Sequence, residues 1–192
     1  MDSSLMLTTT ISVMWLVVGA AAAANELIIN TCNCTQYQEL CRQSLAPYAR
    51  LLSNKPSHLA YVAVRVTMKD AKNVFGYVQE LKANYTNIAG GALEDCAENL
   101  DGLVDQIRDS LKETRWLFAA NKPSQGVDDF HFHVSNVQTW MSAALTDEDT
   151  CADELQYLDE PLIRSYVANR ISRVQGLLSN ALALINTYYG NI

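Results

Sequence analysis

The sequence predicts an all-α protein: an antiparallel four-helix bundle with an N-terminal helical hairpin, stapled by disulfides. Three observations lead there. Four stretches repeat apolar residues at spacings of three and four, over residues 58–84, 92–119, 128–146 and from Pro161 to near Gly190. The connections between them are short and carry breakers, Gly90-Gly91, then Asn121 to Gly126, then the segment before Pro161. No alternating apolar–polar run of any length points to a sheet.

Residues 1–24 read as a secretory signal. Ile11 to Ala24 is uncharged and built of apolar and small residues, and Ala22-Ala23-Ala24 before Asn25 suits cleavage. The leading segment is atypical, with Asp2 and no Lys or Arg. A membrane anchor is the rival reading, but the run is shorter than the ~20 residues that span a bilayer. The mature domain is then 25–192, divided into a hairpin at 25–57 and a bundle at 58–192.

Residues 25–56 read as short helical pieces interrupted by Pro47 and Pro56, with few apolar residues and a need to lean on a neighbour. The first long helix carries Ala60, Ala63, Val64, Thr67, Ala71, Val74, Phe75, Val78 and Leu81 on one stripe. Val62, Val64 and Val66 alternate as a strand would, but the helical period runs much further. The second helix shows Leu93, Cys96, Ala97, Leu100, Leu103, Val104, Ile107, Leu111 and Leu117. Asp105 and Asp109 lie off that stripe with Arg108 and Lys112, a solvated face with local ion pairs. The third, 128–146, carries Val134, Val137, Met141 and Leu145, with small Ser142, Ala143 and Ala144 beside them. The acidic cluster Asp147-Glu148-Asp149 then leads to Cys151. Pro161 suits the first position of the fourth helix, striped by Ile163, Val167, Ile171, Val174, Leu177, Leu178, Ala181 and Leu184. All four stripes read as free of charge.

A chain of 192 residues with 49% apolar content is one domain by size, long enough for a sizeable core. The formal charge is −7, and no Lys/Arg stripe is evident to meet phosphates, which argues against nucleic acid. An acidic surface suits a basic partner through steering.

Secretion makes the five cysteines a disulfide framework with one left over. Proximity favours a local bridge within 32–41 and a long one between Cys96 and Cys151, the latter closing a loop of about 55 residues. Two sequons are present. Asn84 stands at a helix end before Gly90-Gly91 and is expected to be accessible. Asn33 sits between two cysteines, where folding competes with glycosylation.

No catalytic constellation emerges. His131 and His133 with Asp128 and Asp129 suggest a metal site, but positions two apart on a helix point to opposite sides. No Glu-x-x-His occurs for a di-metal bundle, and no phosphate loop or nucleophile elbow is present. Cys34 has no neighbouring His to activate it. The expectation is a chain that is not an enzyme, uses no cofactor or metal, and acts by binding.

Three motifs carry a resemblance. Asp95-Cys96-Ala97-Glu98-Asn99 with Val104-Asp105 resembles the DC-x-E helix of the plant invertase and pectin methylesterase inhibitor family. Val137 to Cys151 resembles that family's V-x-T-W-x-S-A-A-L-T…TC-x-D helix, and Thr31-Cys32, Thr35 and Cys41 match its TC-x-x-T…C pattern. The resemblance implies a Cys32–Cys41 bridge on the C-x8-C spacing, with Cys34 a free thiol; a Cys34–Cys41 bridge is the alternative. It implies a hairpin that projects from the bundle.

It further implies a secreted inhibitor in the plant apoplast or cell wall, with pectin methylesterase as partner and with no membrane attachment after cleavage. The family's other arm blocks acid invertase, in the cell wall or vacuole, through Pro-Lys-Phe. Here the corresponding loop reads Lys122-Pro123-Ser124, and Pro-Lys-Phe occurs nowhere. The helix around Trp140 to Leu145 also looks closer to the esterase arm. Candidate contact residues are Lys69, Lys72 and Asn73 on the first long helix, Asp105 and Asp109 on the second, and Gln138 and Thr139 on the third. A reading of another class is a non-inhibitory helical module for a small ligand or receptor.

Overall fold

The computed structural model describes residues 25–51, 56–85, 91–120 and 127–190. The expected signal at 1–24 and the loop holding Lys122, Pro123 and Ser124 lie outside the described residues. Residues 25–32 form helix α1, and α2 is Gln38–Leu45, continued by a 3-10 segment at Ala46–Leu51. Four long helices follow: α3 (Pro56–Asn84), α4 (Ala92–Ala120), α5 (Val127–Glu154) and α6 (Pro161–Tyr189). A short 3-10 turn, Leu155–Tyr157, joins α5 to α6. Pro161 opens α6, where its missing N–H costs nothing, and Gly190 caps the far end by donating its N–H to the Asn186 carbonyl.

The long helices run up, down, up and down, and contacts between named pairs fix the antiparallel order. Lys82 meets Glu94 at 2.9 Å near one end of α3 and α4, while the Tyr61 and Phe118 rings meet near the other. Cys96 is bonded to Cys151, and at the opposite end of α4 and α5 Trp116 stacks on His133. Gln175 donates to Asp149 at 2.9 Å and Gln138 to Asn186 at 2.8 Å, tying α5 to α6. The Tyr189 hydroxyl donates to the Ser57 carbonyl at 3.1 Å, and Arg173 to Asp70 at 2.8 Å, so α6 returns along α3 and closes the ring.

Between the helices lies one core. Leu59, Leu93, Leu100, Leu103, Ile107, Met141 and Ile171 are all fully buried. Each is worth about 1.5–3 kcal/mol relative to exposure. The apolar stripes thus face inward, while Asp105, Arg108, Lys112 and Thr139 lie outside.

The hairpin is seated on this bundle more closely than the resemblance implies. Ile28, Cys32, Cys41 and Leu45 join the same core. Four apolar side chains on two short helices have nothing else to cover them, so the hairpin folds against α3 and α6. Gly176 of α6 makes room for it: a Cβ there would lie 2.6 Å from Leu40 Cδ2 and 3.4 Å from the Tyr37 ring.

The third long helix departs from expectation in two ways. It runs on from 146 to Glu154, through the acidic cluster and Cys151. It also places a carboxyl on the buried stripe: Glu148 is 2% exposed, on the same side as Met141, Ala144, Cys151 and Leu155. The stripe is therefore not free of ionisable groups. The helical spacing 144–148–151–155 carries the chain through the cluster, because the core continues there and needs a covering face.

Candidate functional site

The α4–α5 seam is tied at its middle and both ends. At one end the Cys96 and Cys151 side chains are fully buried and bonded across a Cα–Cα distance of 4.1 Å. In the middle Gln106 donates to Asp147 at 2.9 Å. Gly102 lies under the same carboxylate, where an added Cβ would meet Oδ2 at 2.8 Å. At the far end His133 contacts Glu113, lies 3.6 Å from Asp129, and stacks on Trp116 with centroids 3.8 Å apart. His131 is exposed on the other side of α5. No group of three or more His, Cys, Asp or Glu among the described residues is placed to hold a metal ion.

Glu148 sits between α5 and α6. Burial pushes its carboxyl up to about 8, and the neighbouring Asp149 carboxylate adds to that, with Gln175 opposing. Its Oε2 has no hydrogen-bond partner among the described residues. Burial also raises Asp147, offset by the hydrogen bond from Gln106. Glu148 is thus held as a neutral acid across the mildly acidic range, which makes it a structural group and an unsuitable base.

Folding sorts the charges that the net value averages out. Helix α5 carries seven Asp and Glu residues and no Lys or Arg, and α4 seven acids against three bases. Helix α6 carries Arg164, Arg170 and Arg173 and no acid, and α3 four bases against two acids. Since α4 neighbours α5 and α3 neighbours α6, one side of the bundle is strongly acidic and the other basic. Basic residues scattered along the sequence are therefore gathered on two neighbouring helices.

The two helices of the basic side frame a small groove of about 120 Å³ lined by Asp70, Asn73, Val74, Arg170 and Arg173. Beside it Tyr77 and Tyr166 pack with centroids 5.0 Å apart, and the Arg170 guanidinium lies 5.1 Å and 4.5 Å from their ring centroids. The sequence reading missed this cluster. The i, i+4 spacing of Tyr166 and Arg170 is visible in the chain, but their partner Tyr77 comes from a helix nearly ninety residues away.

The sequence-selected residues are dispersed. Lys69, Lys72 and Asn73 are exposed on α3. Asp105 contacts Arg108, and Asp109 pairs with Lys112 at 2.7 Å, both on the outside of α4. Gln138 is turned to α6 and Thr139 is exposed on α5. They do not converge on one face.

The remaining cysteines form a Cys32–Cys41 bond with Cα atoms 5.7 Å apart and leave Cys34 free and exposed, its thiol 3.1 Å from the Thr31 carbonyl. Asn33 is exposed, and Asn84 is exposed as the last residue of α3; Thr86 of its sequon lies outside the described residues.

Comparison with known proteins gives a consistent picture. The family model described as plant invertase/pectin methylesterase inhibitor matches residues 26–184. Pectinesterase inhibitor 11 of Arabidopsis thaliana is 34% identical over 176 residues, 88% of this chain and 85% of that protein. The 21 kDa protein of Daucus carota is 33% identical over 90% of this chain and 89% of its own length. Pectinesterase inhibitor 10 of Arabidopsis thaliana is 34% identical over 85% of this chain, which spans only 51% of that longer protein. In fold, the chain is similar to the crystal structure of a mutant form of a pectin methylesterase inhibitor from Arabidopsis, with a TM-score of 0.62 at 18% identity over 82% of this chain and 93% of that one. With its motifs, its helical fold and a match over most of its length, the chain belongs to the plant invertase/pectin methylesterase inhibitor family.

Proposed function

We propose that this protein inhibits pectin methylesterase by forming a protein–protein complex that covers the esterase's pectin-binding cleft. The observation that carries the reading is the similarity to relatives named pectinesterase inhibitors, at about a third identity over most of this chain. The architecture suits it. A rigid bundle presents long polar helix faces at little entropic cost on binding. The acidic α4–α5 side, with Asp105 and Asp109 outward, is the face favoured for the esterase, since concentrated charge steers and orients an oppositely charged partner. Lys69, Lys72, Asn73 and Thr139 flank other parts of the surface and are secondary candidates.

The proposal includes export to the apoplast through cleavage of residues 1–24, with 25–57 acting as a hairpin on a 58–192 bundle. No helix among the described residues is long and apolar enough to cross a membrane.

The test is a parallel assay of the purified protein against a plant pectin methylesterase and an acid invertase. Methanol or proton release follows the first enzyme and hexose release the second. Loss of esterase activity alone supports the proposal. Loss of invertase activity alone replaces it with the family's other arm. No loss in either, across several isoforms, favours a non-inhibitory binding module.

A further inference from the structure

We propose that the open half of the α3–α6 seam is a binding site for an anionic, carboxylate-bearing polysaccharide, a linear polyuronate. The site lies on the opposite side of the bundle from the acidic face favoured for the esterase.

The seam between α3 and α6 has two halves. One is covered by the hairpin, where Tyr37 and Leu40 close over Gly176. The other, between residues 70–77 of α3 and 166–173 of α6, is left as the groove. Its lining is polar apart from Val74. Arg170 is the centre of it. Its guanidinium stacks beside Tyr166 and Tyr77, and among the described residues no carboxylate forms an ion pair with it. Arg173 is half-exposed and shares Asp70 at 2.8 Å. Exposed Lys69 and Asn73 stand on the α3 rim, and Tyr166 is 45% exposed.

The chemistry selects the ligand class. Nη2 of this guanidinium donates to the Tyr166 hydroxyl, which with the aromatic stacking fixes its plane and leaves its remaining N–H donors for a carboxylate. An exposed tyrosine face beside it suits the apolar face of a sugar ring, while Asp70 and Asn73 offer acceptors to its hydroxyls. A protein partner would instead want a deep apolar pocket for an anchor side chain, and this groove has none. Arg170 and Arg173 are about 4.5 Å apart along the helix axis, so neighbouring carboxylates of a linear polymer can meet them in turn.

Binding is measured with the purified protein and four probes: polygalacturonate, the same polymer methyl-esterified, dextran sulfate and poly-glutamate. The proposal expects polygalacturonate to bind best, with NMR shifts at 70–77 and 166–173. Arg170→Gln with Tyr166→Ala is expected to weaken that binding at least tenfold without changing the melting temperature or esterase inhibition. Arg170→Lys, which keeps the charge and loses the fork, is expected to fall between and guards against a folding defect in the double variant. Absence of polygalacturonate binding, equal binding of the esterified polymer, equal binding of dextran sulfate, or unchanged binding by the variants overturns it. Tighter binding of poly-glutamate also overturns it, in favour of an acidic protein partner.

Discussion

The side-chain amide of Asn180 and the backbone of Tyr37 exchange two hydrogen bonds. The Tyr37 N–H donates to Oδ1 at 3.0 Å, and Nδ2 donates to the Tyr37 carbonyl at 2.9 Å. Asn180 is 3% exposed, so a buried polar group on α6 is satisfied by the residue that precedes α2. One amide thus decides where the hairpin docks. Tyr188, whose hydroxyl donates to Thr31 at 3.2 Å, adds a second tether.

Replacing Asn180 with Ala leaves the Tyr37 N–H without its partner, while the Tyr37 carbonyl keeps only the Cys41 N–H at 2.9 Å. The expected cost is about 1–3 kcal/mol. It is read as a lower urea midpoint and faster amide exchange in residues 25–45. Unchanged exchange in the hairpin would show that the amide pair does not hold it.

The buried acid makes stability depend on pH. In the folded chain Glu148 keeps its proton up to about 8, against an ordinary 4.5 when unfolded. Between those values the unfolded state binds fewer protons, so stability falls as pH rises and is highest below about 4.5 for this group. From pH 5 to 8 the loss is at most about 4 kcal/mol. Glu148→Gln is expected to flatten this profile, measured by urea unfolding at a series of pH values. A variant profile parallel to that of the parent would remove Glu148 as the cause.

The Cys96–Cys151 bond closes a long loop between two helices that otherwise meet through side chains. The double substitution Cys96→Ser and Cys151→Ser is expected to lose about 4 kcal/mol on the chain-entropy argument. It is also expected to lose inhibitory activity at temperatures where the reduced bundle opens. A double variant with the parent's melting temperature would refute the structural role.

Surface charge tests the proposed esterase face. Reversing Asp105 and Asp109 to Lys is expected to slow association and to weaken inhibition at least several-fold at low salt, with little effect on folding because both lie outside the core. Inhibition by the parent should weaken with added salt. An inhibition constant independent of both would move the interface off this side.

Much of the fold was legible because helix period and breakers are local. The stripes of Leu93 to Leu117 and Ile163 to Leu184, with Pro161 at a helix start, need only neighbours three and four residues away to be read. The end of α5 was not legible. A run of three acids looks like solvent-facing sequence, and only packing against α6 shows that Glu148 turns inward. The contact residues chosen from exposed positions were dispersed for a related reason: exposure is a property of one helix, while a surface belongs to two.

By itself the sequence determined the helices, their stripes, the five cysteines and the family motifs, since each is written in residue type and spacing along one segment. Only the tertiary structure decided that the acids of α4 and α5 share one side and the arginines of α6 and lysines of α3 the other. It alone decided that Arg170 stands beside Tyr77, that Asn180 receives the hairpin, and that burial pushes the Glu148 carboxyl up. Charge fields, stacking and desolvation depend on distances through space, and those are set when the four helices close into a ring.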